Sequence, residues 1–330
     1  MALHESLHVS VVIAAHNAQH TLARAIHSAL TEPETVEVIV VDDASDDDTR
    51  LVTMREAERD ARVRLIPLDV NGGPGAARNH ALDVAIAPYV AILDSDDVFL
   101  PGRLNRLVRA QDAEIVADNI AFANEADLER MVARDWSAIE PVFKDLSATE
   151  FVRGNLKRPG VARGELGFLK PVLSQRFLDR HKLRYDPALR LGEDYDLYTR
   201  MFLAGARMRL TSRPGYGAVV RANSLSAVHG ADELSQLHDR LEGHLGAGTL
   251  SASLSRAMRT HRDEVRRKRD HRVFLDLRKQ VGNRAALRYL LGAFNRPFPI
   301  TLQIAKDKLR RVPKAGDAVA GDGIRLLLPA

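Results

Sequence analysis

The sequence predicts an α/β protein built on an open, mostly parallel sheet with flanking helices, followed by a basic, mainly helical C-terminal region. Three observations lead there. Apolar, β-branched runs start near residues 9, 36, 63 and 89. The segments between several of them carry helical spacing or helix-start signals. A polar cluster stands at the carboxyl end of each run. The interval of about 27 residues suits a β–α–β crossover, which is how parallel neighbours are joined.

Val9–Ala15 reads as a buried strand, and Thr21–Leu30 as a helix because Leu22, Ile26 and Leu30 recur every four residues. Val36–Val41 and Val63–Leu68 read as strands, Pro74–Ala87 as a helix with proline in its first turn, and Tyr89–Leu93 as a strand. Ala113–Ala117 resembles a further strand, whereas residues 123–165 are polar, mixed and without clear period. Glu193–Leu203 carries Leu197, Tyr198, Met201 and Phe202 on a helical stripe behind an acidic start. Past Gly230 the composition turns Arg-rich and helix-favouring, so the expected division is residues 1–230 and 231–330, with a chain cut after Gly230 expected to fold.

Composition removes several functions. With 45% apolar residues the chain can build a core, and with no cysteine it has no disulfide, thiolate metal centre or cysteine nucleophile. Any metal must sit on oxygen or imidazole. The start MALHESLHVSVVIAAHN lacks a basic segment before its short apolar run, and no later stretch reaches the roughly 18 apolar residues of a spanning helix. The expectation is a cytoplasmic protein. The net charge of +4 hides a division: Ser251–Lys314 holds 18 Lys/Arg against 5 Asp/Glu, and residues 1–250 hold 29 against 37. An acidic body suggests chemistry with cations, and a basic C-terminal region suggests attachment to something anionic.

Sheets of this kind bind ligands at the carboxyl ends of their strands. His16-Asn17, Asp42-Asp43, Asn71-Gly72-Gly73-Pro74-Gly75 and Asp94-Ser95-Asp96-Asp97 would converge in one crevice. The last tetrad suits a hard divalent cation bridging carboxylates to substrate phosphates, and equally a solvated turn with a helix cap. Ser45-Asp46-Asp47-Asp48 is also a good helix start. The glycine turn before Arg78 would let a phosphate approach a helix N-terminus, although such turns are common. No Gly-Lys-Ser/Thr phosphate loop occurs, and no GxGxxG follows the first strand.

Taken in order, Val9-Ser10-Val11-Val12-Ile13 to Asn17, Val40-Val41-Asp42-Asp43-Ala44-Ser45, Gly73-Pro74-Gly75-Ala76-Ala77-Arg78-Asn79, Leu93-Asp94-Ser95-Asp96-Asp97 and Gly192-Glu193-Asp194 resemble the family 2 glycosyltransferases of the GT-A fold. The resemblance spans about residues 9–230. More narrowly, it is similar to bacterial enzymes that extend exopolysaccharide repeat units on a lipid carrier, succinoglycan-type glucosyltransferases included. It implies an inverting, metal-dependent transferase moving a hexose, glucose by expectation, from a UDP-sugar to a lipid-linked glycan.

By position, the resemblance puts Asp43 at the uracil-type base, with Ala14, Ala15, Asn17 and Arg78 about the nucleotide. Asp94 and Ser95 would lie by the ribose and metal, and Asp96 would hold Mn²⁺ or Mg²⁺ on the diphosphate. Asp194 would be the general base, supported by Glu193. His16 stands where the family frequently has tyrosine. Arg221-Ala222-Asn223-Ser224-Leu225-Ser226 resembles the segment that closes the catalytic domain, and His229 would offer imidazole to the metal or the diphosphate. The Gln-x-x-Arg-Trp motif of processive synthases is absent, so one sugar per acceptor is expected. A sugar-nucleotide nucleotidyltransferase and a non-catalytic nucleotide-sugar-binding protein are the alternatives. In the basic region, Arg266-Arg267-Lys268-Arg269 beside apolar residues suits an anionic membrane surface on its inner face, or simply a solvated helix. Aromatic residues are too sparse there for a nucleic-acid platform.

Overall fold

The structure, a computed structural model, describes residues 7–110, 112–157, 166–220, 230–246, 248, 250–293, 296–302 and 323–329. The chain begins with β1 (Val9–Ala15), α1 (Leu22–Leu30), β2 (Thr35–Asp43), α2 (Thr49–Arg59), β3 (Val63–Leu68), α3 (Pro74–Leu82) and β4 (Tyr89–Ile92). These strands stand in the order β3-β2-β1-β4 and all pair in parallel. The order reverses beside β1, which opens a crevice between the carboxyl ends of β1 and β4.

Both faces of this half-sheet are covered, and the alternation along the strands says by what. Val9, Val11 and Ile13 of β1 pack in the main core with Leu22 and Ile26 of α1. On the opposite face, Val12, Ile39, Val41 and Ile92 meet Ala77 and Ala81 of α3. Two expected boundaries move. Strand β2 runs on to Asp43, so both aspartates are its last residues. Helix α3 stops at Leu82, short of Ala87. Pro88 disfavours helical backbone in the residue before it, and the chain must turn there into β4.

Next come β5 (Val98–Phe99), α4 (Arg103–Arg109), β6 (Ile115–Ala123), α5 (Leu128–Ala133), β7 (Phe143–Leu146), α6 (Ala148–Gly154), β8 (Val172–Ser174), α7 (Gln175–Arg180), α8 (Glu193–Leu203) and β9 (Met208–Val219). Strand β8 lies antiparallel between β4 and β6, and β6 runs parallel to β9. Both β5 and β7 pair antiparallel with β9. Residues 123–165, which offer no clear period, hold only short elements among those described.

The C-terminal part contains α9 (Ala231–Gly246), α10 (Ala252–Gln280), α11 (Asn283–Leu291) and β10 (Arg325–Leu326), which pairs antiparallel with β6. The division is expected at residue 230, yet the core continues past it. Leu234, Leu237 and Leu241 of α9 and Leu254, Ala257, Met258 and Val265 of α10 belong to the same cluster as β1 and α8. Only the far end of α10 leaves it, where Phe274 joins Ala286 and Ile300 in a separate small core. The expected division at residue 230 therefore does not divide this core. Among the described residues, no helix is long and apolar enough to cross a membrane.

Candidate active site

The carboxyl ends of β1, β2 and β4 bring Asn17, Asp43 and Asp94 to one crevice, as their positions predict. Asp43 is buried, and its two carboxylate oxygens accept from the backbone N–H groups of Gly72 and Gly73, each at 2.8 Å. Gly73 has φ +84°, a left-handed conformation that glycine adopts without steric cost. The carboxylate thus holds the glycine turn that starts α3. Above it, the Asp43 carbonyl meets His16 Nδ1 at 2.9 Å and accepts from Asn71 Nδ2 at 3.2 Å. Asn17 is exposed with φ +53°, and its Oδ1 accepts from the Asp46 N–H at 2.9 Å. Ala14 is half-buried at this rim, whereas Ala15 is buried in the sheet and offers only backbone.

The chemistry concentrates one turn into α3. The Arg78 guanidinium is almost wholly buried and reaches three carboxylates: Asp94 Oδ1 at 2.8 Å, Glu193 Oε1 at 3.1 Å and Asp194 Oδ1 at 3.3 Å. The Lys170 ammonium lies 2.9 Å from Asp94 Oδ2 and 2.8 Å from Asp194 Oδ2. Arg78, Asp94, Lys170 and Asp194 therefore form a closed ring of alternating charge, in which each carboxylate has a cation on either oxygen. Burial works against charge on Lys170 and on Arg78, but the carboxylates outweigh it and both pKa values are raised. Burial likewise opposes the Asp94 anion, and Lys170 and Arg78 overcome it, holding that carboxyl well below the usual range.

Asp194 and Glu193 open helix α8 behind Gly192, whose φ of +74° again needs glycine. A β-carbon on Gly192 would come 3.0 Å from Leu237 Cδ1, so α9 backs directly onto this helix start. Two residues on, buried Asp196 accepts from Arg200 Nε at 2.8 Å. Its other oxygen stands 2.9 Å from His244 Nε2 of α9, an ion-pair contact without hydrogen-bond alignment.

The tetrad after β4 divides its labour. Asp97 is buried and accepts from Tyr216 Oη at 2.8 Å and the Val219 N–H at 2.9 Å. Burial, then the neighbouring charges of Asp94 and Asp96, push its pKa well up. Ser95 and Asp96 are half-buried at the mouth. Among the described residues, no three acidic or histidine side chains gather into a metal cage. His229 and Arg221–Ser226 lie outside the described residues. Sequence reasoning missed Lys170, which no motif or spacing marks, and Tyr185, whose ring lies 5.3 Å from the Arg78 guanidinium carbon.

Comparison with known proteins gives this geometry a context. The family model described as Glycosyl transferase family 2 matches residues 10–175. The chain is 42% identical over 326 residues to the succinoglycan biosynthesis protein ExoU of Rhizobium meliloti (strain 1021), covering 97% of this chain and 95% of that protein. To ExoO of the same organism it is 36% identical, covering 88% and 82%. Over 34% of this chain and 43% of the other, it is 33% identical to an Escherichia coli protein named UDP-Glc:alpha-D-GlcNAc-diphosphoundecaprenol beta-1,3-glucosyltransferase WfgD. Among solved structures, S. aureus TarS 1-349 in complex with UDP-GlcNAc superposes with a TM-score of 0.59 at 18% identity, covering 93% of this chain and 82% of that one. The mannosyltransferase PcManGT of Pyrobaculum calidifontis, solved with GDP-Man and Mn²⁺, gives 0.53 at 17% identity, covering 91% and 79%. The fold shared with these structures is the GT-A fold.

Proposed function

Because the chain belongs to glycosyl transferase family 2, we propose that it is an inverting enzyme moving a hexose, glucose in our reading, from a UDP-sugar onto a lipid-linked glycan in exopolysaccharide assembly. The relatives' printed names support the glycan, the donor and the lipid-diphosphate acceptor. The observation that carries the mechanism is the charged ring. It sets Asp194, at the start of α8, beside Asp94 at the end of β4, with Arg78 and Lys170 between them.

In this reading Asp43, Asn17, Ala14 and the Ala15 backbone surround the nucleoside, while Asp94 and Ser95 lie by the ribose. Asp194 accepts the proton of the acceptor hydroxyl as that oxygen forms its bond to the anomeric carbon. The bond from that carbon to the diphosphate oxygen breaks in the same displacement, and its electron pair leaves with UDP. One attack with no covalent enzyme intermediate inverts the anomeric centre. Glu193 and Arg78 keep Asp194 oriented.

A divalent ion suits the donor set at the tetrad. In this reading Asp96, half-buried at the mouth of the crevice two residues after Asp94, would hold the ion. Mg²⁺-type ions are commonly held by one or two carboxylates plus substrate phosphates, so the residues fit. When bound, Mn²⁺ or Mg²⁺ supplies charge neutralisation at the leaving diphosphate. We place the enzyme peripherally on the inner face of the membrane, held by its basic C-terminal region.

The test is turnover of UDP-glucose with Mn²⁺ and a synthetic glycolipid acceptor. Asp194→Asn is expected to bind UDP normally and transfer at least roughly 10²-fold more slowly, because an amide cannot take the proton. The product should show the inverted anomeric configuration by NMR. Wild-type turnover in that variant, or retained configuration, excludes this mechanism.

A further inference from the structure

We propose that Lys170 is the positioning residue of the general base, fixing Asp194 to the donor-side carboxylate Asp94 so that the two substrates meet in register. The inference rests on Asp194 being the base. Asp194 and Asp94 come from different layers of the fold, the first on helix α8 and the second at the end of β4. Arg78 touches one oxygen of each, at 3.3 and 2.8 Å. Arg78 alone leaves the second oxygen of each carboxylate without a cation. The Lys170 ammonium on the second oxygens, at 2.8 and 2.9 Å, supplies it and closes the ring.

The lysine is itself held by more than its charge. It precedes Pro171, which biases its backbone to an extended conformation. The Lys170 carbonyl accepts from the guanidinium of Arg103, which is fully buried and paired with Asp118 at 3.0 Å. The neighbouring Leu169 carbonyl accepts from Tyr198 Oη of helix α8 at 3.2 Å. The loop carrying Lys170 is therefore tied both to β6, through Asp118, and to the helix that bears the base. Such double anchoring is what a group needs if it is to hold another in place. Misplacement of a reacting group by about 1 Å can cost on the order of 10²-fold in rate.

Lys170→Ala, Lys170→Met and Lys170→Arg in the full chain decide the matter, with thermal melting, UDP affinity, kcat and the ratio of sugar transfer to donor hydrolysis measured on each. Expected is a fall in kcat of about 10- to 100-fold in the alanine and methionine variants. UDP affinity should change less than kcat, since Asp94 keeps Arg78, and transfer should lose ground to hydrolysis. Ethylammonium ion should restore part of the alanine variant's turnover by occupying the vacated ammonium site, and should do nothing for methionine, which fills it. A purely structural lysine would lower the melting temperature without amine rescue. Wild-type kcat in a folded alanine or methionine variant overturns the proposal, as does a loss in folded Lys170→Ala that ethylammonium leaves untouched. If both variants fail to melt cooperatively, Lys170→Arg decides. It retains the charge with different reach, so a lowered kcat at unchanged melting supports the role and wild-type kcat refutes it. Failure of the base assignment is separate, since it shows as full activity in Asp194→Asn.

Discussion

The strands of residues 9–92 and the helices of residues 231–302 are held to the rest of the molecule in opposite ways. In the first region each strand is fixed by backbone pairing to its neighbours, and its functional groups hang from strand ends whose positions the pairing dictates. In the second, α9 and most of α10 are fixed by side chains alone, through Leu234, Leu237, Leu241, Leu254, Met258 and Val265 and the contact between His244 and Asp196. The lesson is that an Arg-rich composition is no guide to independence. The region past Gly230 forms the back wall of helix α8, on which Glu193 and Asp194 stand.

The largest test of that contrast is to cut the chain after Gly230. Those six apolar side chains contribute roughly 1.5–3 kcal/mol each, on the order of 10 kcal/mol together. That is comparable with the whole stability of a typical domain, about 5–15 kcal/mol. The truncated chain should show no cooperative melting by circular dichroism. A sharp transition with retained UDP binding would mean that the front half is self-sufficient, as composition suggests.

A smaller effect, at the same interface, depends on pH. The His261 ring of α10 meets Tyr195 of α8 edge-on at 4.7 Å. Burial, with a smaller contribution from Lys268, pushes its pKa down to about 4. Between about pH 6.5 and that value the unfolded chain binds the proton and the folded chain does not. Stability is therefore fully present above about pH 6.5 and falls as the pH drops towards 4, by at most on the order of 3 kcal/mol. Denaturant midpoints measured across that window should be flatter for His261→Phe than for the parent. Parallel curves would show that α10 does not bury this imidazole.

The smallest expected effect belongs to the far end, which leaves the shared core. Of the cluster expected at a membrane, Arg266 and Arg269 are half-buried beside Asp263 and Asp270, whereas Arg267 and Lys268 are exposed. Arg284 and Arg288 are exposed on α11 with Leu287 and Leu291, and residues 278–302 contain five basic and no acidic side chains. Replacing Arg284 and Arg288 by Gln should weaken binding to phosphatidylglycerol vesicles by about 1 kcal/mol each. Added salt should shrink the difference. Equal sedimentation of variant and parent at low salt would exclude this face.

Legibility in the sequence follows the same contrast. Strand starts, the Glu193–Leu203 helix and the strand-end polar residues were readable because they depend on local period and on the rule that ligands gather at carboxyl ends. Asp94 and Asp194 share Arg78 and Lys170, and Asp43 holds the turn that starts the helix bearing Arg78. The bond from Asp43 to the glycine turn, the Lys170 bridge and the His244 contact were not readable. Each joins residues between 24 and 76 positions apart, or presents a residue type with no repeating pattern. The short elements of residues 123–165 owe their form to packing on β9 and α8, which no window of that segment contains.

Strand β10 sets an order of events during synthesis. Arg325 and Leu326 pair with Phe122 and Ala121 on the stretch of β6 beyond its pairing with β8, and Asn119 exchanges hydrogen bonds with Leu328 at 2.8 and 2.9 Å. These contacts span about two hundred residues. A nascent chain can assemble β1 to β4 while translation continues, but that stretch of β6 waits until residues 325–328 have been made. Until then it presents an open edge of the kind that pairs with foreign strands. Chaperone demand and aggregation during overexpression should therefore concentrate before residues 325–328 emerge, and a chain cut short of them would leave this edge of the sheet unsealed.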